Sequence, residues 1–444
     1  MLQKRNFKFN LLLCVCSLLF TSTLNGQTTW YKYENNPVLQ RDTVIANLPN
    51  DLIAISDPWV LFEDGVYKMW YTCGGLNYPP DTLLRSRICY AISTDGINWE
   101  KYEDNPVMDV DYAGSWDSSG VETVTIIIDN DAPAAERYKM WYAGQYFNTY
   151  RYDIGYAYSS DGINWIKHSV PVMNVGSASE WDSGFLEGPS VIKEDGQYKM
   201  WYCGYDIEVN GQPSDGKANI GYATSTDGIN WTKYENNPIL VTGNNTWDSI
   251  YVQDPHVIKY GDEYQMWYGG GDNDTYYSQQ VGYATSTDGI NWNKSPLNPV
   301  LTRGSDGDWD KILASFPSVI IKDGVYQMWY TGRNLDPVPE NSLDYYWELG
   351  LAIAPFSALN NFIVTDNLRL FPNPAQNNIT LQFTNAPSAA LISVYNNIGE
   401  CLFTQHTSNI ELLNIDLQSW TNGMYIMAVQ SENINELHKF IIAK

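Results

Sequence analysis

The chain is short of basic residues. It sets 26 Lys and Arg and four His against 51 Asp and Glu, a formal net charge of −25 over 444 residues. A surface that acidic argues against nucleic acid and against anionic membranes as partners. Past residue 26 there is no apolar run long enough to cross a bilayer as a helix. Cysteine is also scarce, with six in all. Cys14 and Cys16 fall in an N-terminal apolar run; Cys73, Cys89, Cys203 and Cys401 have no metal-like spacing. Cys73 and Cys89 flank one predicted hairpin, where a cross-strand disulfide and two unpaired small core residues are both open readings.

The N-terminus explains the first two cysteines. Lys4, Arg5 and Lys8 precede an apolar stretch over 11–20, and small and polar residues follow up to Gly26-Gln27. This pattern reads as a secretory signal over residues 1–26, lost from the mature protein together with Cys14 and Cys16.

What the chain has in abundance is repetition. The pattern Tyr-Lys/Gln-Met-Trp-Tyr occurs five times, centred on Met69, Met140, Met200, Met266 and Met328. Each copy is followed by a second signature at Cys89-Tyr90-Ala91, Gly155-Tyr156-Ala157, Gly221-Tyr222-Ala223, Gly282-Tyr283-Ala284 and Gly350-Leu351-Ala352. Four copies then run into Asp-Gly-Ile-Asn-Trp, ending at Trp99, Trp165, Trp231 and Trp292. Alternating aromatic strands closed by Asp-Gly turns are hairpin signals. A unit of this length, repeated, predicts β-propeller blades. The Met-Trp-Tyr aromatics are expected to pack between blades, and Asp95, Asp161, Asp227 and Asp288 to cap turns.

The fifth unit lacks its ending. The segment Trp30-Tyr31-Lys32-Tyr33-Glu34-Asn35-Asn36-Pro37-Val38-Leu39 nearly copies Trp231-Thr232-Lys233-Tyr234-Glu235-Asn236-Asn237-Pro238-Ile239-Leu240. The N-terminal segment is therefore expected to complete the last blade and close the ring, leaving no free edge. The expected fold class is all-β, a five-bladed β-propeller over 27–354 followed by a small β-sandwich over 369–444, with a linker at 355–368.

The tail shows alternating strands near 379–383, 390–395 and 423–429. With Pro372-Asn373-Pro374, the segment Asn422-Gly423-Met424-Tyr425 and a basic-terminated last strand, it resembles the C-terminal sorting domain of the type IX secretion system of Bacteroidetes. That resemblance implies the secretion machinery as a partner. It also implies export through the periplasm to a secreted or outer-surface location.

The acidic residues of chemical interest lie where the first strand of each blade begins. Aligned on proline, the five starts read Ser56-Asp57-Pro58-Trp59, Glu122-Thr123-Val124-Thr125, Glu187-Gly188-Pro189-Ser190, Gln253-Asp254-Pro255-His256 and Ser315-Phe316-Pro317-Ser318. Four blades thus place Asp57, Glu122, Glu187 or Asp254 near one depth of the channel. Mutual repulsion makes such clustering costly without a proton, a metal or a ligand. His256 and Trp59, two residues beyond their aspartates, and Arg333 are further candidates for contact with substrate. Asp306, Asp308 and Asp310 alternate in a Gly-containing loop. A solvated loop or a structural calcium ion would each fit, although the spacing is not that of an EF-hand. No cofactor is required.

Asp-Pro in the first blade and Glu-Gly-Pro in the third resemble the glycoside hydrolases of families 43 and 32 and their relatives. By that resemblance Asp57 is the general base or nucleophile and Glu187 the general acid. The second-blade Asp-Pro of those families is not kept, since Thr123 stands in its place and Glu122 one position earlier. Glu122 is the first choice, and Asp254 the second, for the carboxylate that modulates the acid. The implied function is a secreted, monomeric glycoside hydrolase acting on oligo- or polysaccharides. The alternative from another class is a non-catalytic glycan-binding propeller. Sialidases are disfavoured because the turns are one residue short of an Asp-box and no arginine cluster is evident. A mannoside phosphorylase would need a basic phosphate pocket, which so few arginines make hard to build.

Overall fold

The computed structural model describes residues 30–41, 54–76, 84–147, 151–205, 208–209, 212–213, 217–272, 278–322, 325–334, 346–355, 368–396, 401–431 and 435–444. The expected signal at 1–26 and the linker interior lie outside the described residues.

The Met-Trp-Tyr repeat generates five antiparallel units of four strands. The first is Ala54–Glu63, Val66–Leu76, Leu84–Ser93 and Glu100–Lys101. The second is Gly120–Ile128, Tyr138–Gln145, Tyr152–Ser159 and Ile166–Lys167. The third uses Phe185–Glu194, Gln197–Tyr205, Ala218–Ser225 and Thr232–Lys233. The fourth uses Tyr251–Tyr260, Glu263–Gly271, Gln280–Ser286 and Asn293–Lys294. In the fifth, Leu313–Lys322, Val325–Asn334 and Tyr346–Pro355 take their fourth strand, Tyr31–Lys32, from the N-terminal segment.

The repeated tryptophan is the joint between units. Trp70, Trp141 and Trp201 are fully buried. Their indole N–H groups donate to the turn carbonyls of Gly162, Gly228 and Gly289 in the following unit, at 2.7, 2.8 and 2.7 Å. Trp329 of the fifth unit does the same to Gly96 of the first, at 2.9 Å, so the chain of joints returns to its start. Trp267 of the fourth unit has no Asp-Gly-Ile-Asn-Trp turn to meet in the fifth. It packs edge-on against Trp30 at 6.2 Å, as Trp201 packs on Trp292 at 6.2 Å.

Two more repeated devices place the N-terminal segment in the fifth unit. Asn105, Asn237 and Asn298 each accept a backbone N–H with Oδ1, and Asn36 does so from Leu351 at 2.8 Å. Lys167, Lys233 and Lys294 pair with buried Asp117, Asp182 and Asp248, and Lys32 pairs with buried Asp310 at 2.5 Å. Asp310 is therefore an ion-pair partner inside the repeat, and it also accepts the Tyr330 hydroxyl at 2.9 Å. Asp308 accepts the Ser305 N–H and Asp306 pairs with Lys311. The solvated-loop reading of the triad is corrected at Asp310, which is 1 % exposed. Among the described residues no group of three or more His, Cys, Asp or Glu is arranged to hold a metal.

The turn aspartates do what their spacing predicts. Asp161 Oδ1 accepts the N–H groups of Ile163 and Asn164, both at 2.8 Å. Burial would raise its carboxyl, but these donors hold it down to about 2. Cys73 and Cys89 are bridged, with Cα atoms 5.9 Å apart, which settles the open question in favour of the disulfide. The tail is two facing sheets of three and four strands. They enclose a core that includes Ile379, Leu381, Ile392, Val394, Met427 and Phe440.

Candidate active site at the mouth of the central channel

Every inner strand breaks register at the same place. The breaks fall between Ser56 and Trp59, Glu122 and Thr125, Glu187 and Ser190, Gln253 and His256, and Ser315 and Ser318. Within each bulge one residue takes a left-handed backbone. These are Asp57, Thr123, Gly188, Asp254 and Phe316, with φ of 50°, 49°, 53°, 48° and 54°. Bulges re-aim side chains and recur beside active sites. Here the five bulge residues, with the residue after each and Trp59, line one depression of about 320 Å3.

The bulge divides the four carboxylates into two kinds. Asp57 and Asp254 occupy the bulge position itself and line the depression. Glu122 and Glu187 stand one residue earlier, opposite Ala143 and Cys203 of the next strand. All four still act on one another. Burial and then the charges of Asp254, Glu122 and Asp57 push Glu187 well above the usual carboxylate range. Burial and the charge of Asp57 push Glu122 up to about 7, against hydroxyls of Ser86 and Tyr152 that stabilise its anion. Asp254 is raised by burial and by Asp57, although Gln253 Nε2 donates to its Oδ2 at 2.7 Å. Asp57 is raised by burial to about 6, and the Thr72 and Ser56 hydroxyls oppose that rise. The Ser56 Oγ to Asp57 Oδ2 distance is 2.9 Å.

Gly188 is required for this packing. An added Cβ there would lie 2.6 Å from Asp254 Oδ1 and 3.0 Å from Asp254 Cα, on a backbone that L side chains rarely adopt. Its absence lets the Asp254 carboxylate approach the third unit, beside Glu187.

Of the other three candidates only Trp59 reaches the depression. Trp59 is mostly buried, donates to the Ile126 carbonyl at 2.8 Å and lines the floor of the depression. His256 packs against Trp59 below that floor, ring centroids 4.6 Å apart and planes tilted by 45°, with Nε2 against the Val319 carbonyl at 2.8 Å. Burial pulls its pKa down to about 4, so it is neutral. Together they separate the mouth from a second, apolar space of about 880 Å3 lined by His256 and by Val and Ile side chains of the inner strands. Arg333 is buried in the fifth unit, its guanidinium 5.1 Å from the Trp347 ring. Sequence reasoning missed the donors that set the charges, namely Ser56, Thr72, Ser86, Tyr152 and Gln253.

With this geometry in hand, the likenesses to known proteins can be placed. Residues 369–443 match the family model described as a secretion system C-terminal sorting domain. The tail thus resembles a sorting domain of a secretion system. Residues 133–300 match the glycosyl hydrolases family 32 N-terminal domain. Among solved structures, a glycoside hydrolase shares 19 % identity with a TM-score of 0.54, covering 79 % of this chain and 96 % of that one. A thermostable family-43 glycoside hydrolase shares 18 % identity with a TM-score of 0.51, covering 70 % of this chain and 91 % of that one. The repeat domain has the fold of the glycoside-hydrolase propellers. A 1,2-beta-oligomannan phosphorylase of Thermoanaerobacter sp. (strain X514) is 30 % identical over 139 residues, 31 % of this chain and 44 % of that protein. An uncharacterized Mycobacterium tuberculosis protein is 32 % identical over 162 residues, 36 % of this chain and 50 % of that protein. The chain thus spans half or less of the length of these curated relatives.

Proposed function

We propose that the chain is an exported glycoside hydrolase built on a five-bladed propeller over 27–354. The signal at 1–26 and the sorting sandwich over 369–444, joined by the 355–368 linker, serve its export to the medium or the outer surface. The observation that carries the reading is the meeting of four carboxylates from four units at one channel mouth, Asp254 buried and Asp57, Glu122 and Glu187 half-buried, in unequal electrostatic settings. Glycoside cleavage needs one carboxyl protonated and one ionised across the bond. Glu187, raised by burial and by three neighbouring charges, holds its proton and delivers it to the leaving glycosidic oxygen. Asp57, which two hydroxyls stabilise as the anion, takes a proton from the attacking water or attacks the anomeric carbon itself. Asp254, which also faces a sugar hydroxyl, and then Glu122 keep the acid protonated by their charges. Trp59 supplies the floor, and His256 supports Trp59 from below; Arg333, buried against Trp347, is given no contact with substrate.

The match to an oligomannan phosphorylase favours one second reading, phosphorolysis. Both are tested together. The mature protein is incubated with aryl glycosides and with plant, algal and β-mannan oligosaccharides, with and without inorganic phosphate, and compared with Glu187→Gln. Hydrolysis lost in the variant by at least roughly 100-fold supports the acid assignment. Sugar 1-phosphate formed only with phosphate would replace the hydrolase reading by the second. Glycan binding that survives Glu187→Gln, with no turnover of any substrate, would make the domain a binding module.

A further inference from the structure

The residue just before each left-handed bulge residue reads Ser56, Glu122, Glu187, Gln253 and Ser315. In the fourth unit an amide thus stands where the second and third units place a carboxylate of the same length. Gln253 is 5 % exposed, and both polar atoms of its side chain are engaged. Nε2 donates to Asp254 Oδ2 at 2.7 Å and to Gln279 Oε1 at 3.3 Å. Oε1 accepts the hydroxyl of Tyr205. An inverted amide would set oxygen against the Asp254 carboxylate, so the partners fix which end is which.

Those partners reach into both neighbouring units. Tyr205 stacks on Phe185 of the third unit with ring centroids 3.9 Å apart, and Phe185 stands two residues before Glu187 on the same strand. Gln279, fully buried, accepts the Ser315 hydroxyl of the fifth unit at 3.1 Å. With Oδ2 held by the amide, Asp254 keeps Oδ1 in the narrow space that Gly188 leaves beside Glu187. The other bulge aspartate has the same device, since Ser56 donates to Asp57 Oδ2 from the preceding position.

We infer that Gln253 is a positioning residue: it orients Asp254 against the third unit, beside Glu187, and supplies the donor that lets Asp254 exist there as an anion. This rests on the reading above, in which Asp254 acts on the acid Glu187, and deepens it.

The test is a titration that needs no substrate. The acids that face Asp254 are Asp57, Glu122 and Glu187, and Cys203 and Tyr205 stand on the adjoining strand. The mature protein, 13C-labelled at aspartate carboxyls, is titrated by NMR, and the Asp254 signal is assigned by its loss in Asp254→Asn. Gln253→Met keeps the length and removes the donors and the acceptor. Gln253→Glu keeps the length and the acceptor for Tyr205 but sets a second carboxyl against Oδ2. The Asp254 midpoint is expected to rise by about one pH unit in Gln253→Met and by more in Gln253→Glu. An unmoved midpoint in either folded variant overturns the inference, and if one variant does not fold the other decides. Where a substrate is found, slower turnover by Gln253→Met with an unmoved midpoint assigns Gln253 a packing role only and likewise overturns it. A shifted midpoint in a protein that cleaves no glycoside supports the role of Gln253 and counts against the hydrolase reading instead.

Discussion

Glu122→Gln should make the protein more stable at alkaline pH and leave it unchanged in acid. Glu122 is raised from 4.5 to about 7 by burial and by Asp57, so the folded state binds this proton more tightly than the unfolded chain does. Stability from such a group is complete below pH 4.5 and is lost as pH rises through about 7. A tenfold difference in proton affinity between the folded and unfolded states is worth about 1.4 kcal/mol, so ionising Glu122 costs the native state about 3 kcal/mol by pH 8. That is an upper figure, because the mouth keeps some contact with water. Glutamine cannot ionise, and its amide oxygen can still accept from Ser86 and Tyr152. Urea melts followed by tryptophan fluorescence at pH 4 and pH 8 give the comparison. The variant should gain about 2–3 kcal/mol at pH 8 and stay within about 0.5 kcal/mol of the parent at pH 4. An equal change at both pH values, or a loss at pH 8, would refute the repulsive cluster.

Deleting residues 27–40 should abolish cooperative folding, since it exposes the seat of Trp30, strips the Asn36 clamp from Leu351 and leaves Asp310 buried without Lys32. A buried charge that loses its partner alone costs about 3–5 kcal/mol, and the indole about as much, against a usual total of roughly 5–15. A truncated protein that melts like the parent would refute closure by this segment. Replacing Cys73 and Cys89 together by serine should lower stability by about 2–4 kcal/mol in denaturant melts. Reductant should reproduce that loss in the parent, and an unchanged midpoint in both cases would show the bridge to be absent.

The repeat made the scaffold readable from the order of residues alone. Trp70, Trp141, Trp201, Trp267 and Trp329 are all at most 1 % exposed, and the truncated fifth unit pointed to its missing strand at the other end of the chain. The mouth was legible only in part. Aligning the five starts on proline collected Asp57, Glu122, Glu187 and Asp254, but it could not show that a bulge divides them into two positions. Nor could it show that Trp59 and His256 pack on each other as a floor. Charge assignment depends on single hydroxyls such as that of Ser86, which reaches Glu122 of the second unit from the first, and no local pattern announces a contact across units.

The columns of this repeat separate stability from chemistry. Where side chains pack between units, the same residues return five times. At the bulge the backbone is the same five times, yet the residues are Asp57, Thr123, Gly188, Asp254 and Phe316. Glycine would fill every one of these left-handed positions without strain, and a β-branched or aromatic residue there costs on the order of 1–2 kcal/mol. Thr123 and Phe316 accept that cost, and Asp57 and Asp254, which tolerate this backbone better, bring a carboxylate into the mouth instead. A scaffold selected only to stay folded would have kept the unstrained residue, as the third unit does where Asp254 leaves no room for a side chain. Strain and repulsion therefore gather at the channel mouth, while the hydrogen-bonded turns at the rim hold their aspartates comfortably ionised. That contrast within one chain, between carboxylates the fold stabilises and carboxylates it tolerates, is the physical basis for proposing a reaction at the mouth.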